Sequence, residues 1–202
     1  MRRRADEDVP ETDGEEMMTE KELHNMWYYY LDLEKDLSDS SRYIEPDGQE
    51  KVYSFEFRKI IILACTECET AFKAICEAVD NTKKRGSISD YKTIILGKYP
   101  KIVDAEVTIR RWHRSIKPFL GWNDGGLPWW TAHQNIKHDR GSNYNEATYE
   151  NAAFALSALY VLIFYLYYIN IQEPPYEGEY ISSEYTPPFL ICKPNKKLPD
   201  FE

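Results

Sequence analysis

The 202-residue sequence predicts an all-α protein, a four-to-five-helix bundle with a long apolar C-terminal helix. Three observations predict this class. Apolar residues recur at the spacing of amphipathic helices, the segment before residue 172 is apolar almost throughout, and no stretch shows a convincing β-strand alternation. We expect a disordered acidic leader over 1–19, a helical-bundle domain over 20–172 and an extended Pro-rich C-terminal arm over 173–202. The arm is expected either to lie on the domain or to form a free tail.

The first two helices are predicted by regular apolar stripes. The first begins near Glu20, with Thr19 and Glu22 as a capping box, and fades near residues 38–41. Its stripe contains Leu23, Met26, Trp27, Tyr30, Leu33 and Leu37. The second helix runs from about Ser54 to Asp80, with the stripe Ile61, Cys65, Cys68, Phe72, Ile75 and Val79. Cys65 and Cys68 are spaced as a CxxC pair, but without a second pair we interpret them as core thiols.

The middle of the chain predicts two shorter helices separated by a long turn region. Ser87 and Asp90 are expected to cap a helix that ends near Leu96. The segment 101–112 fits a strand or a helix, and the sequence does not decide between them. Residues 116–128 form the turn region, in which Trp122 is expected to be exposed. Pro128 suits the first turn of a helix over about 129–140.

The last helix, about 146–171, allows two interpretations. Residues 152–171 contain no charged side chain, and 20 residues are long enough to cross the apolar layer of a bilayer. Membrane spans, however, keep tyrosines mainly at their ends, whereas four tyrosines lie within or near the middle of this segment: Tyr160, Tyr165, Tyr167 and Tyr168. A buried or dimer-forming bundle helix is therefore favoured over a membrane span.

The net charge of -9 belongs mostly to the two ends of the chain, while residues 82–118 are basic. Such a surplus of positive charge could attract an RNA backbone, because phosphate contacts depend on charge more than on a fixed motif. The alternative is a solvated surface. The candidate RNA-binding residues are Lys83, Lys84, Arg85, Arg110, Arg111 and Arg114.

A second cluster of polar residues follows Trp130. His138 can transfer a proton near neutral pH, and the neighbouring Lys137 and Arg140 can hold a phosphate. Asn135 is a candidate orienting residue. Glu69 on the second helix is expected near the buried face with a cationic or hydrogen-bonding partner, for which Lys73 is the simplest candidate. The alternative is structural: bases that complement the end of a helix dipole. We expect no metal site and no cofactor.

These same residues carry a resemblance to a known family. The layout of residues 20–171 resembles bacterial HEPN-type helical proteins, on the two segments Glu67-Cys-Glu69-Thr-Ala-Phe-Lys73 and Trp130…Asn135-Ile-Lys137-His138-Asp-Arg140. The resemblance implies an all-α bundle, often a dimer, that occurs in toxin–antitoxin and phage-defence systems and in some members is a metal-independent endoribonuclease.

The catalytic order of that family differs from the order found in this sequence. The family pattern is an Arg followed four to six residues later by a His near the start of a late helix. Here only His138 is suitably placed, its nearest upstream arginine is Arg114, and Arg140 follows the histidine. The resemblance therefore fits either a non-catalytic member or a site rebuilt around Arg140.

Three functions remain from the sequence. The first is a helical interaction module, a homodimer or the binder of another protein, with the apolar last helix available for self-association. The second is a metal-independent endoribonuclease that uses His138, with RNA as partner. The third is a single-span membrane protein with a cytoplasmic helical domain. Four cysteines without a secretory signal predict a cytoplasmic location.

Overall fold

A computed structural model describes residues 18–45, 47–82, 86–109, 114–139, 141–171 and 190–191. This part of the chain contains five α-helices: α1 (Glu20–Ser40), α2 (Phe55–Val79), α3 (Ile88–Lys98), α4 (Pro128–His138) and α5 (Tyr149–Asn170). Short 3-10 turns cover Pro100–Asp104 and Tyr144–Glu146. The predicted helical fold is confirmed, including the long apolar C-terminal helix. The leader up to residue 17 and most of the arm lie outside the described residues.

The helix boundaries follow from side chains that satisfy the first free backbone N–H groups. The predicted capping box is present: the Thr19 backbone N–H donates to Glu22 Oε2 over 2.8 Å, and Glu22 N–H donates to Thr19 Oγ1 over 3.3 Å. The Ser54 hydroxyl accepts a hydrogen bond from Phe57 N–H, and the Ser87 hydroxyl accepts one from Asp90 N–H. Helix α3 continues past the predicted end at Leu96 as far as Lys98.

Helix α5 is the centre of the bundle, and it packs against α1, α2 and α4. By length and composition it could cross a membrane, but 78% of its most apolar 18-residue window is buried inside the chain. The apolar surface that the sequence offered for self-association is therefore used within the bundle. Cys65 and Cys68 on α2 are fully buried, which confirms them as core thiols.

A small antiparallel sheet accompanies the helices, although the sequence shows no convincing β pattern, and one of its strands lies within 101–112, which the sequence left open between strand and helix. Strands β1 (Val107–Ile109), β2 (Arg114–Ile116) and β3 (Leu190–Ile191) are arranged in the order β2-β1-β3. In the register, Thr108 lies opposite Ser115 on one side and Ile191 on the other. Strands of two or three residues are too short to show a convincing period of two. Strand β3 belongs to the predicted C-terminal arm.

The turn region between β2 and α4 folds back over α2, and the prediction of an exposed Trp122 is wrong. The Trp122 side chain is 1% exposed. Its ring packs on Phe72 of α2 and on Phe119, with centroids 5.5 and 5.4 Å apart. Trp129 Nε1 donates to the Pro118 carbonyl oxygen over 2.8 Å, which holds the turn region against the start of α4. Aromatic packing across three elements thus buries a tryptophan in an apparently polar loop.

Candidate functional site

The end of α4 carries the predicted catalytic residues. Lys137 and His138 are exposed on its last turn, whereas Asn135 is half-buried and Arg140 lies outside the described residues. The amide nitrogen of Asn135 donates to both carboxylate oxygens of Glu146, over 3.0 and 3.1 Å. Asn135 therefore ties α4 to the segment that leads into α5. Its amide group is directed at Glu146 and not at the imidazole of His138.

The loop after α4 is organised by Asp139. One of its carboxylate oxygens accepts hydrogen bonds from the backbone N–H groups of Ser142 and Gly141, over 3.2 and 3.1 Å. These bonds stabilise the charged carboxylate and lower the pKa of Asp139 below its ordinary value, the Ser142 contact most. The turn that follows His138 is thus held by a local network of the chain itself.

Glu69 forms an ion pair with Lys73, as the spacing predicts. Lys73 Nζ lies 2.9 Å from Glu69 Oε1, one turn along α2. The hydrogen bond to Glu69 is the main cause that raises the pKa of Lys73. Both side chains are partly exposed, so the pair lies at the rim of the core.

His133 is the polar residue that the structure places at the centre of this region, and the sequence did not single it out. Its side chain is buried, its ring lies edge-on to Trp130 at 5.3 Å, and its Nδ1 is 3.3 Å from the amide nitrogen of Gln134. The pKa of His133 is lowered to about 4, mainly by burial and also by the charge of Lys137, against an opposing effect of Glu69. His133 is therefore neutral at pH 7 and is too deeply buried to reach a macromolecular substrate.

Tyr91 of α3 adds a second buried polar group beside the same ion pair. Its hydroxyl group is buried without a hydrogen-bond partner, and its ring stacks on Phe72 at 5.5 Å. Burial raises the pKa of Tyr91, while the charge of Lys73 opposes that shift. We call Glu69, Lys73, Tyr91 and His133 the α2–α4 polar cluster. Its buried members, Tyr91 and His133, lie between α2, α3 and α4, and its ion pair lies at the rim, which is an arrangement typical of a structural network.

The predicted RNA-binding residues are largely beyond the described part of the chain. Lys83, Lys84, Arg85, Arg110 and Arg111 lie outside the described residues, and of Arg114 only the backbone in β2 is described. Two other bases of the same region are engaged within the chain. Lys117 pairs with Asp104 at 3.1 Å, and Lys92 donates to the Gly125 carbonyl oxygen over 3.2 Å. Across the described ranges, no group of three or more His, Cys, Asp or Glu side chains could hold a metal ion.

Another surface, which the sequence did not indicate, combines three aromatic side chains at the start of α2. Phe55 is 74% exposed and Tyr53 is 51% exposed. Both rings contact the ring of Tyr144, with centroids 4.9 and 5.5 Å apart. We call Tyr53, Phe55 and Tyr144 the aromatic face. Single exposed apolar residues are ordinary on protein surfaces, but three mutually packed aromatic rings form a contiguous patch.

The aromatic face is held by backbone hydrogen bonds between two segments that are distant in sequence. Ser54 N–H donates to the Ala147 carbonyl oxygen over 3.2 Å, and Tyr149 N–H donates to the Val52 carbonyl oxygen over 2.9 Å. Tyr53 also forms an isolated antiparallel bridge with Thr148. The entries to α2 and α5 are thus joined directly below the three rings, so that the rings stand on a rigid base.

A cavity of about 370 Å³ lies between the end of α1 and the start of α2. Its apolar lining consists of Tyr43, Ile44 and Phe57, and its polar lining of Asp36, Asp39, Ser40, Ser54 and Glu56. Ser54 and Glu56 directly precede and follow Phe55 in the chain. Phe55 itself does not line the cavity, and its ring packs on Tyr144 instead.

Comparisons with known proteins found no relative. No protein-family model, no curated protein and no solved structure matches this chain.

Proposed function

We propose that the protein is a helical interaction module, which acts by binding another protein chain through the aromatic face. The observation that carries the proposal is the exposure of Phe55 and Tyr53, packed together with Tyr144 on a base fixed by backbone hydrogen bonds. Aromatic residues are enriched in protein interfaces and dominate their binding energy. Rings that are already fixed lose little conformational freedom on binding, which favours affinity.

The geometry around α4 supports binding over catalysis. Asn135 is bonded to Glu146, and Glu69 is paired with Lys73, so two of the five candidate catalytic residues already have structural partners. A catalytic base is oriented by a further group, and Asn135, the candidate for that role, is bonded to Glu146 instead. The proposal extends to a cytoplasmic component of a bacterial toxin–antitoxin or phage-defence system, and that part depends on the HEPN-like resemblance alone.

The experiment compares the proteins that the tagged wild type and two tagged variants of the full chain capture after crosslinking in cells. The test variant combines Tyr53→Ser with Phe55→Ser, and Leu120→Ser is the matched control because Leu120 is also an exposed apolar residue, at 66%. The control site is remote from the aromatic face. Leu120 follows Phe119, which packs on Phe72, and Phe72 lies about 25 Å from Phe55 along α2. We expect the wild type and the control each to capture one partner chain in stoichiometric amount, and the test variant to capture none. Equal recovery from all three proteins would oppose the proposal.

A second candidate function is metal-independent cleavage of RNA. Its support is that Lys137 and His138 are exposed side by side at the end of α4, where an imidazole and a cation could meet a phosphate. The test incubates purified wild type and His138→Ala with mixed RNA in EDTA and measures RNA length. We expect no cleavage by either protein; cleavage by the wild type that His138→Ala abolishes would make catalysis the primary function.

The membrane alternative is tested by fractionation. The burial of α5 on the other helices supports a core helix, since a membrane span would present its apolar surface to lipid. We expect the full chain in the supernatant of a high-speed spin without detergent. Recovery in the membrane pellet, released by detergent but not by high salt, would favour the span.

A further inference from the structure

We propose that the partner of the aromatic face is a basic segment of another protein, and that an arginine side chain of that segment lies against the rings of Tyr53 and Phe55. The inference rests on the proposed function and names the chemistry of the partner. Three observations carry it: the open faces of the rings, the surplus of acidic side chains around them, and a recess that shares Tyr53 with the aromatic face.

The rings of the aromatic face are open to a cation. The planes of Tyr53 and Phe55 lie at 85° and 44° to the plane of Tyr144, so neither ring is covered by a parallel stack. Phe55 is 74% exposed, so its contact with Tyr144 leaves at least one face of its ring in solvent. The face of an aromatic ring carries partial negative charge and attracts a cation. A planar, weakly hydrated guanidinium can also stack on a ring, so arginine fits better than lysine.

The charge around the rings favours a basic partner. The segments that form the aromatic face, residues 47–59 and 144–150, contain five acids and three bases, a net charge of -2: Asp47, Glu50, Glu56, Glu146 and Glu150 against Lys51, Arg58 and Lys59. Two of these bases are already engaged by acids, since Lys51 pairs with Glu150, and Lys59 with both Glu56 and Asp36. Charges of opposite sign attract across an interface and like charges repel, so a basic segment is favoured over an acidic one.

Glu146 places one of these negative charges close to the rings. It follows Tyr144 by two residues, and both of its carboxylate oxygens accept hydrogen bonds from the amide nitrogen of Asn135. An amide is neutral, so these bonds fix the position of the carboxylate without cancelling its charge. A cation that lies over the rings is therefore attracted by this carboxylate as well as by the aromatic faces.

A recess of about 380 Å³ borders the aromatic face and offers room for the residues next to the arginine. It is lined by residues 48–53, so Tyr53 belongs both to the recess and to the aromatic face. Its wall is fixed, because the Glu50 and Val52 carbonyl oxygens accept hydrogen bonds from Glu150 N–H and Tyr149 N–H, over 3.0 and 2.9 Å. The volume lies within the range of pockets that enclose small groups, roughly 300–1,000 Å³. A partner segment can thus fill the recess while its arginine reaches the rings.

The first experiment titrates the isotope-labelled full chain with two peptides and follows the backbone amide signals by NMR. The probe is acetyl-Gly-Arg-Gly-Arg-Gly-amide, and its control is the same peptide with citrulline in place of arginine, which has nearly the same shape and no charge. We expect saturable shifts at Tyr53, Phe55 and Tyr144. The dissociation constant should be about two- to fivefold lower for the arginine peptide, as expected for one cation–π contact at an exposed site.

The second experiment separates the ring faces from apolar area. A variant that combines Tyr53→Leu with Phe55→Leu keeps two apolar side chains on this surface and removes two aromatic faces. We expect it to lose the preference for arginine over citrulline, whereas Leu120→Ser should keep the wild-type preference because Leu120 lies outside the aromatic face. Both replaced rings are largely exposed, so circular dichroism and the urea midpoint of the variant should match those of the wild type.

The outcomes distinguish this inference from the proposed function. No saturable binding of the arginine peptide, equal binding of the two peptides, or an undiminished preference in the leucine variant would overturn the inference. In the crosslinking experiment, the leucine variant should lose the partner as the serine variant does. Capture by the leucine variant but not by the serine variant would mean a purely apolar contact, which overturns the inference and leaves the interaction module standing. Capture by the serine variant at the wild-type level would overturn both proposals.

Discussion

Acid is expected to destabilise this protein through the buried imidazole of His133. The unfolded chain exposes this group, whose ordinary pKa is 6.5, while burial lowers its pKa in the folded protein to about 4. Between these two values the unfolded chain binds the proton and the folded chain does not. Stability therefore falls as the pH decreases from about 6.5 to about 4, and is fully retained above 6.5.

The size of the effect follows from the difference between the two pKa values. Each pH unit across that interval removes about 1.4 kcal/mol, so the whole interval removes about 3 kcal/mol. The side chain is only 2% exposed, so solvent does not screen this cost appreciably. The free energy of unfolding of an ordinary domain is about 5–15 kcal/mol, so protonation of this one group would remove a large share of it.

The measurement is urea unfolding followed by tryptophan fluorescence at pH 7 and pH 4.5. Carboxylates also change charge over this range, so the quantity of interest is the difference between wild type and His133→Gln, which cannot titrate. We expect the wild type to lose about 2–3 kcal/mol more than His133→Gln between the two pH values. His138→Gln is the matched control, because His138 is exposed on the same helix. An acid loss of equal size in wild type and His133→Gln would refute the reasoning.

Three further substitutions test the packing and the helix ends by urea unfolding at pH 7. Phe72→Ala removes a fully buried ring from the aromatic core and should lower the free energy of unfolding by about 3–5 kcal/mol. Tyr28→Ala, at an exposed site, should change it by less than about 0.5 kcal/mol. A loss below about 2 kcal/mol for Phe72→Ala would contradict the packing. Asn135→Ala removes two hydrogen bonds to the Glu146 carboxylate and should lower the free energy of unfolding by about 1.5–3 kcal/mol. No change would mean that these hydrogen bonds do not form in solution. Thr19→Ala removes the cap of α1 and should cost about 1 kcal/mol; no change would mean that the capping box is not formed.

The positions of the five helices could be predicted because their signals are local. The caps Thr19, Ser54 and Ser87 each accept from a backbone N–H three residues away, and the apolar stripes of α1 and α2 repeat within one element. The pairing of Glu69 with Lys73 is local for the same reason, as both lie on neighbouring turns of α2. Such features require no knowledge of the tertiary structure.

The candidate site could be predicted only in part, because burial depends on neighbours that are distant in sequence. His133 lies on α4, and its burial results from the approach of α2, from which Glu69 acts on it. The aromatic face was missed for a related reason. Phe55 stands just before the apolar stripe of α2 and falls outside it, and only the return of the chain at Tyr144 brings a second ring against it.

The sequence by itself determined the helices, their caps and the apolar character of α5, since each depends on residues within a few turns of one another. Only the tertiary structure decided which apolar surfaces are covered. It buried Trp122 under Phe72, enclosed α5 among α1, α2 and α4, and left Phe55 exposed against Tyr144. Hydrophobic attraction has no direction, so a sequence can show that a side chain is apolar but not which surface it will meet.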